Sequence, residues 1–377
     1  MKFTRSAKFA LAAAASAALA VTLLTPANAA TRSTVILHET NPITGLNCSL
    51  SATNSTTCAA VSYVQGAGFN YYNNKKELVK NTVFGSYKIV KNTATDFRTQ
   101  WTVNPGRVWS DGTPITGEDL LLSHILSSDA YSKAAGLGDP TDKKTPPAFN
   151  GLGYSGVYAN NIVGEPVLSA DKMTVTLQFK KKIANWDLYG PGPAPVHTLV
   201  LMAEGKDKLG TVAENEAARD RFVKAFKEKD TALLTKMGKV WTNDYTITTV
   251  NDKTNPLLLV GNGGFLIDNA VAKTSVTLKK NPKYNSGPAL SGSVDTVVFK
   301  FIGDGTAAAQ ALKNGEVDIY AGQPTADAVA QLKAMAPAVK VIGGDQAVYE
   351  HLDLRVGPAY GTTAPYDGPF AGMSQKA

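Results

Sequence analysis

The sequence predicts a mixed α/β fold with more than one lobe. Strand-like runs rich in Val, Thr, Phe and Ile dominate the first 180 residues, whereas strand and helix patterns alternate between residues 300 and 345. The chain has 377 residues, which is too long for one small core. The change of pattern along a chain of this length therefore favours two or more lobes.

The individual elements follow from hydrophobic spacing. Strands are predicted over 33–39, 96–103, 172–180, 275–281, 294–302 and 338–344. Helices are predicted over 117–126, 214–240, 306–315 and 326–335. The 214–240 run carries Phe222, Ala225 and Phe226 at helical spacing, and we expect it to break into two helices near Asp230 and Thr231.

The amino-terminal 29 residues have the layout of a secretory signal. Lys2, Arg5 and Lys8 precede an apolar run over 9–24, and the small-residue triplet 27–29 offers a cleavage site after Ala29. An uncleaved membrane anchor is the alternative, but the run is rich in alanine and ends at a cleavable triplet. No lipobox cysteine follows the cleavage site. The sequence therefore predicts a soluble protein exported to the periplasm, the cell surface or the medium.

Export affects both the charge and the cysteines. Loss of the three positive charges in the signal lowers the formal net charge from +7 to +4, and the remaining excess is spread along the chain, which does not indicate a nucleic-acid partner. Cys48 and Cys58 flank a polar loop, so in an oxidising compartment we expect them to form a disulfide. A metal site would need further ligands, and no histidine is near them in the sequence.

The patterns of catalytic and cofactor sites are weak in this chain. The histidines, at 38, 124, 197 and 351, form no metal-binding pair, and no nucleophile elbow occurs. The segment 296–311 contains a Gly-x-Gly-x-x-Ala run after a strand, but Asp304 lies between the glycines, where its charge would repel a pyrophosphate. We therefore expect no enzymatic activity, no metal and no cofactor.

Two further segments indicate structural roles and not catalytic ones. In VWSDGTPITGEDLLLSHIL (108–126), Asp111 and Gly112 suit a turn, and Thr116 can cap a helix with Asp119 in its first turn. The segment VGNGGFLI (260–267) is rich in glycine but lacks the end of a phosphate loop. A tight strand connection is one interpretation of it. We favour a loop whose backbone comes close to something, because three glycines within four residues let a ligand or another chain approach.

Together these segments resemble the family 5 extracellular solute-binding proteins, the peptide-binding components of ABC importers. The segment 108–126 is similar to the family's Trp-Ser-Asp-Gly motif, and 261–285 is similar to its Gly-x-Gly-x-Tyr and Asn-Pro-x-Tyr segments. The segments 193–200 and 294–319 follow in the family's order, and the resemblance spans about 33–371. Phe265 stands where the family commonly has tyrosine, so a hydroxyl contact is not expected there.

The resemblance implies an α/β fold of the periplasmic-binding-protein type, two-lobed and type II with an extra inserted domain. By resemblance, lobe I comprises 30–60 and 190–345, an inserted smaller domain comprises 61–189, and 346–377 begins lobe II. Family members continue well beyond this point, so we expect a chain truncated at its carboxyl terminus, with the second lobe largely missing.

The resemblance also implies the ligand, partners and site. A peptide would lie in the cleft and be delivered to the membrane permease of an ABC importer by a monomeric protein. The implied ligand-binding residues are Glu39 and Asn41 after the first strand, and Asn262, Gly263 and Phe265 in the glycine loop. Oligosaccharides, nickel complexes or haem are alternative solutes. A secreted hydrolase or an adhesion protein is an alternative function.

Overall fold

The structure is a computed structural model that describes residues 33–342 except 51, 76, 143, 322 and 323. The predicted signal peptide, His351 and the predicted start of lobe II therefore lie outside the described residues. Compactness divides the chain into Met1–Ser33 and Thr34–Ala377, and the fold below belongs to the second unit.

A five-stranded mixed sheet forms one part of the fold. Its strands, in spatial order, are β11, β1, β10, β9 and β8. β1 pairs in parallel with both β10 and β11, whereas β8, β9 and β10 pair antiparallel. The strand bounds are β1 Thr34–Glu39, β8 Phe265–Val271, β9 Ser275–Lys280, β10 Thr296–Phe301 and β11 Ile319–Tyr320.

An antiparallel four-stranded sheet and a short hairpin come from the chain between β1 and β8. The hairpin pairs β2 with β3, and the larger sheet has the order β4, β5, β7, β6. Alternate residues of β5 and β7 are buried, as expected for a sheet with one face on a core. The bounds are β2 Asn70–Tyr72, β3 Leu78–Lys80, β4 Gly85–Asn92, β5 Phe97–Val103, β6 Val167–Leu168 and β7 Thr174–Phe179.

Helices cover these sheets and connect them. They are α1 Thr56–Gln65, α2 Leu122–Ile125, α3 Asp129–Ala134, α4 Val157–Asn161, α5 Val196–Ala203, α6 Val212–Glu228, α7 Thr231–Lys239, α8 Gly305–Lys313 and α9 Ala326–Ala334. Short 3-10 turns occupy Gly117–Leu120, Trp186–Leu188 and Pro256–Leu259, and a π-turn occupies Val240–Asp244. Within 33–342, no helix combines the length and apolar character that a membrane crossing needs.

Most of the predicted elements are present, and the break in the long helical run is confirmed. α6 ends at Glu228, and Asp230 caps α7 by accepting hydrogen bonds from the amides of Ala232 and Leu233. Phe222, Ala225 and Phe226 are buried, as their spacing predicts. The single helix predicted over 117–126 is instead a 3-10 turn followed by the one-turn helix α2.

The strand predicted over 338–344 is wrong for its described part. Residues 338–342 form turn and irregular backbone, and 343–344 lie outside the described residues. Ile342 is 84% exposed, so this apolar segment packs against no described sheet. Its β-branched residues favour a strand only where a neighbouring strand and a buried face are available.

Two apolar clusters divide the core between the sheets. The larger packs the four-stranded sheet against α5, α6 and α7, and contains Trp101, Trp109 and Phe222. The smaller lies on the five-stranded sheet and contains Ile43, Val276 and Phe299. The predicted domain boundaries at 60, 189 and 345 remain a prediction.

Candidate functional site

The Trp-Ser-Asp-Gly turn is held by hydrogen bonds to two helices, α5 and α6. Asp111 accepts hydrogen bonds from Nε2 of His197 at 2.8 Å, Nδ2 of Asn215 at 3.1 Å and the amide of Thr113 at 2.9 Å. Burial opposes ionisation of Asp111, but the hydrogen bond and charge of His197 outweigh it, and the pKa of the carboxyl is lowered. The turn therefore fastens α5 and α6 to the segment at 108–119.

An ionic cluster lies next to this turn and contains the buried carboxylates of Glu118 and Asp119. The guanidinium of Arg219 lies 3.0 Å from Oε2 of Glu118 and 3.4 Å from Oδ2 of Asp119, and Lys172 lies 2.9 Å from the other oxygen of Glu118. Asp119 also accepts the Thr116 amide in a capping box. Desolvation raises the pKa of Asp119 to about 6. The predicted turn role of Asp111 and cap role of Asp119 are confirmed. Both carboxyls bond to other groups of the chain and stabilise the fold.

The carboxyl ends of β1, β10 and β11 meet at one edge of the five-stranded sheet, here called the carboxyl edge. β10, α8 and β11 form a crossover that passes over β1, so three parallel strands end side by side at this edge. In open α/β sheets, ligands bind in the crevice outside the carboxyl ends of the strands. The carboxyl edge is therefore the candidate site that topology selects.

Glu39 and Asn41 lie at this edge. Glu39 ends β1 and is half-buried, and its carboxylate accepts a long hydrogen bond, 3.4 Å, from the hydroxyl of Thr57. The same hydroxyl lies 2.8 Å from the carbonyl oxygen of Asn41, whose side chain is exposed. Desolvation raises the pKa of Glu39, and the Thr57 hydrogen bond only partly offsets this. A partly desolvated carboxylate with one weak partner favours a cationic group placed beside it.

The floor of the carboxyl edge is rigid. The buried His38 places Nε2 2.8 Å from the carbonyl oxygen of Ile302, and its ring lies 4.7 Å from the ring of Tyr320. Asp304 caps α8 by accepting the amide of Ala307 at 2.7 Å. The dinucleotide-like segment therefore uses its acidic residue as a helix cap.

The glycine loop lies at the opposite edge of the sheet. At the start of β8, Phe265 pairs with Lys280 of β9 and Leu266 pairs with Lys279. Lys279 pairs with Thr296 of β10, which in turn pairs with Thr34 at the start of β1. Glu39 lies five residues further along β1, about 16 Å away at the usual rise of a strand. The structure therefore does not bring Glu39 and Asn41 together with Asn262, Gly263 and Phe265.

The polar groups of the glycine loop bond to the end of α1. The side chain of Asn262 is 3% exposed. Its amide accepts from the amide of Ala67 at 3.0 Å and donates to the Ala67 carbonyl at 2.9 Å. Gly263 donates to the Gln65 carbonyl at 2.8 Å. A Cβ on Gly263 would lie 2.3 Å from the carbonyl carbon of Gln65, so only glycine permits this approach.

Two open cavities flank this contact. One, of about 790 Å³, lies between α1, β2 and the segment 284–291, and Phe265 lines it. The other, of about 260 Å³, is lined by Asn262, Trp109 and Trp241. The loop backbone closely approaches α1 of the same chain, and the approach of a ligand or another chain stays a prediction. Binding of a ligand by Asn262, Gly263 or Phe265 remains a prediction.

The cysteines fasten the other end of α1. Cys48 and Cys58 form a disulfide, and Cys58 lies in the first turn of the helix and is buried. Thr57, which contacts both Glu39 and Asn41, is its neighbour in the sequence. The disulfide therefore anchors the helical turn that supports the carboxyl edge.

Some residues that shape these sites were not predicted from the sequence. Thr57 has no motif, and only its place in the first turn of α1, close to a disulfide, could have indicated it. Asn281, in the Asn-Pro-x-Tyr segment, donates to the Gly263 carbonyl at 3.0 Å and shapes the glycine loop. Among the described residues, no group of three His, Cys, Asp or Glu could hold a metal ion.

The family model described as bacterial extracellular solute-binding proteins, family 5 Middle, matches residues 88–371. The chain belongs to this family. The recognition made from the four sequence segments is therefore confirmed. No curated protein sequence matches the chain.

Solved structures of family 5 solute-binding proteins and their relatives share the fold. The periplasmic EDTA-binding protein EppA superposes with a TM-score of 0.55 at 20% identity, covering 81% of this chain and 46% of EppA. An oligopeptide-binding protein of Borrelia burgdorferi gives 0.50 at 16% identity, covering 81% and 50%. OppA of Burkholderia pseudomallei gives 0.50 at 12% identity, covering 81% and 49%.

These similarities confirm the predicted fold class, a mixed α/β fold of the periplasmic-binding-protein type. The chain spans about half the length of these structures. At these identities the similarity concerns the fold alone, so the solute of this family 5 protein has to be argued from its own site.

Proposed function

We propose that this family 5 protein captures peptides outside the cytoplasm and delivers them to the permease of an ABC importer. The observation that carries the proposal is the family match over 88–371. The oligopeptide-binding protein of Borrelia burgdorferi, which shares the fold, supports the choice of peptides. The signal-like sequence at 1–29 supports export, with cleavage after Ala29.

We place the peptide at the carboxyl edge. The Glu39 carboxylate is half-buried and has one weak internal hydrogen bond, so it can attract the amino-terminal ammonium of a peptide. The exposed Asn41 follows it and can bond to peptide groups. In this proposal, Asn262 and Gly263 position the end of α1 and do not contact the peptide.

The proposal also assigns no enzymatic role to the protein. The most enzyme-like polar group, Asp111 with His197, is buried and bonded to Thr113 and Asn215. Such a pair fastens helices, and both of its side chains are buried. A hydrolase would instead place a nucleophile and base at an accessible surface.

The experiment is a retention assay on the protein as it is exported. The protein is incubated with an equimolar library of di- to pentapeptides, separated from free peptide by gel filtration, and denatured, and the released compounds are identified by mass spectrometry. We expect peptides with free amino termini at one per protein. A parallel panel of oligosaccharides, Ni²⁺–histidine, haem and EDTA covers the alternative solutes. Retention of one of these in place of any peptide would contradict the proposal.

A further inference from the structure

The cavity of about 790 Å³ is distinct from the carboxyl edge. It lies at the carboxyl-terminal end of α1, and Glu39 and Thr57 lie near the amino-terminal end of that helix. Its volume is within the range of about 300–1,000 Å³ that small-molecule sites occupy. We call it the tyrosine cavity, because Tyr63, Tyr71, Tyr72 and Tyr284 line it.

None of the described residues that line the tyrosine cavity is charged. An open cavity on a chain in which 18% of residues are charged would ordinarily include such side chains. Moving a charged group from water to a site without a counter-charge is costly. A free peptide carries an ammonium and a carboxylate, so this cavity suits an uncharged molecule better than it suits a peptide.

Two aromatic rings of the cavity wall are exposed, and one of them is held in place. The Tyr63 hydroxyl donates to the carbonyl of Tyr72 and accepts from its amide, both at 2.8 Å. The Tyr63 and Tyr72 residues are nevertheless 54% and 53% exposed. Both rings remain half open to solvent and offer flat apolar surfaces to a ring-shaped ligand, and the Tyr63 ring is already held by its hydroxyl, which lowers the entropic cost of binding there.

Hydrogen-bonding groups accompany these apolar surfaces. The hydroxyls of Tyr71, Tyr72 and Tyr284 have no hydrogen-bond partner among the described residues and can donate or accept. The asparagines at the cavity are already used by the protein, since Asn70 bonds to Tyr87 and Asp187, and Asn81 bonds to Gly68. The available polar groups are therefore hydroxyls set among aromatic rings.

We propose that the tyrosine cavity is a second binding site, for a neutral oligosaccharide. A sugar ring has an apolar face that can stack on tyrosine and a rim of hydroxyls that can bond to tyrosine hydroxyls, and it carries no charge. This combination matches the lining of the cavity. The site is separate from the proposed peptide site, and neither proposal depends on the other.

Calorimetric titration of the exported protein tests the site. The probes are maltotetraose, cellotetraose and tetra-N-acetylchitotetraose, with tetragalacturonate as a charged counterpart. We expect at least one neutral tetrasaccharide to bind and the tetragalacturonate not to bind. If no neutral tetrasaccharide gives heat at millimolar concentration, or if the charged one binds equally well, the proposal is wrong.

Two variants locate the binding. Tyr72→Ala removes one exposed ring, and Ser291→Arg places a charge and bulk at an exposed lining position. Loss of one stacked ring should weaken sugar binding about tenfold. Val167→Ala is the control, because Val167 is 66% exposed and outside the cavity. Sugar binding that both Tyr72→Ala and Ser291→Arg leave unchanged would place the sugar elsewhere and overturn the assignment.

Discussion

Glu39 is the residue on which the proposed ligand chemistry depends. Its carboxyl is partly desolvated at the end of β1, and its pKa is raised above the ordinary value of 4.5. Because the raised pKa makes protonation begin at a higher pH than in water, acidification removes the negative charge early. The amino terminus of a peptide stays protonated through this range, since its pKa is about 8.

We predict that peptide affinity falls as the pH is lowered from 7 towards 4.5, and that Glu39→Gln removes this dependence. At pH 7 the variant should bind at least about tenfold more weakly, because it loses a charge-assisted hydrogen bond. Calorimetric titration with a retained peptide measures both effects. Glu228→Gln is the control, since Glu228 is an exposed carboxylate on α6. Equal affinities for the wild type and Glu39→Gln at every pH would exclude this role.

Asp111 illustrates what can be predicted at the level of one residue. Its turn role follows from the sequence, because Asp before Gly suits a turn. Its bond to His197, 86 residues away, has no local signal and depends on how the helices pack. Sequence reasoning therefore identifies a residue's local role and misses its partner across the fold.

The contact between the glycine loop and α1 is the clearest feature at the level of elements. We predict that Gly263→Ala lowers the free energy of unfolding by about 2–3 kcal/mol, because its Cβ would overlap backbone atoms that cannot rotate away. Gly264→Ala is a matched control, since its Cβ would meet the end of the Leu290 side chain at 3.0 Å. Urea unfolding measures both variants. Equal stability of the two variants would contradict this account.

The side chain of Asn262 serves the same contact. From sequence alone, Asn262→Ala should weaken ligand binding and leave the fold intact. The structure leads to a different expectation. Asn262 is buried and makes two hydrogen bonds to Ala67, so their loss should cost about 1–3 kcal/mol of stability. Peptide affinity at a temperature where the variant is folded should be unchanged. If Asn262→Ala unfolds at the same midpoint as the wild type but binds peptide more weakly, Asn262 contacts the ligand and this account is wrong.

The disulfide at the start of α1 gives a further test. Its cysteines are separated by 10 positions, so its loss should cost about 2.5–3 kcal/mol on the chain-entropy model. We predict this loss for the wild type after reduction and for a variant with both Cys48 and Cys58 replaced by Ser. Urea unfolding with and without reductant measures it. A reductant effect of the same size on the double variant would show that the disulfide is not responsible.

The accuracy of the element predictions depended on burial. The patterns at β5, β7 and β9 were correct because alternate residues of each strand are buried, which imposes a period of two. β1 and β10 do not alternate in this way, and their content of β-branched and aromatic residues indicated them. The strand predicted at 338–344 was wrong over its described part, 338–342, because the β-branched residues there have no described neighbour to pair with. Local propensity alone did not distinguish these two situations.

At the level of the whole molecule, the sequence identified the family and the fold class but could not place the site. The resemblance grouped five residues because they occupy loops that face the ligand in the family: Glu39, Asn41, Asn262, Gly263 and Phe265. Strand order and direction separate them onto opposite edges of one sheet. These properties depend on pairings between segments more than 200 residues apart, for which a single sequence carries no direct signal.

Photochemical cross-linking tests the central claim, that the peptide binds at the carboxyl edge, most directly. A retained peptide with a photoreactive group on its first residue would be irradiated with the exported protein, and the modified residues would be mapped by mass spectrometry. We predict adducts on the segments 39–41 and 56–58, suppressed by excess unlabelled peptide. If the adducts that excess unlabelled peptide suppresses were confined to 261–265, the peptide would bind at the glycine loop and this placement would be wrong.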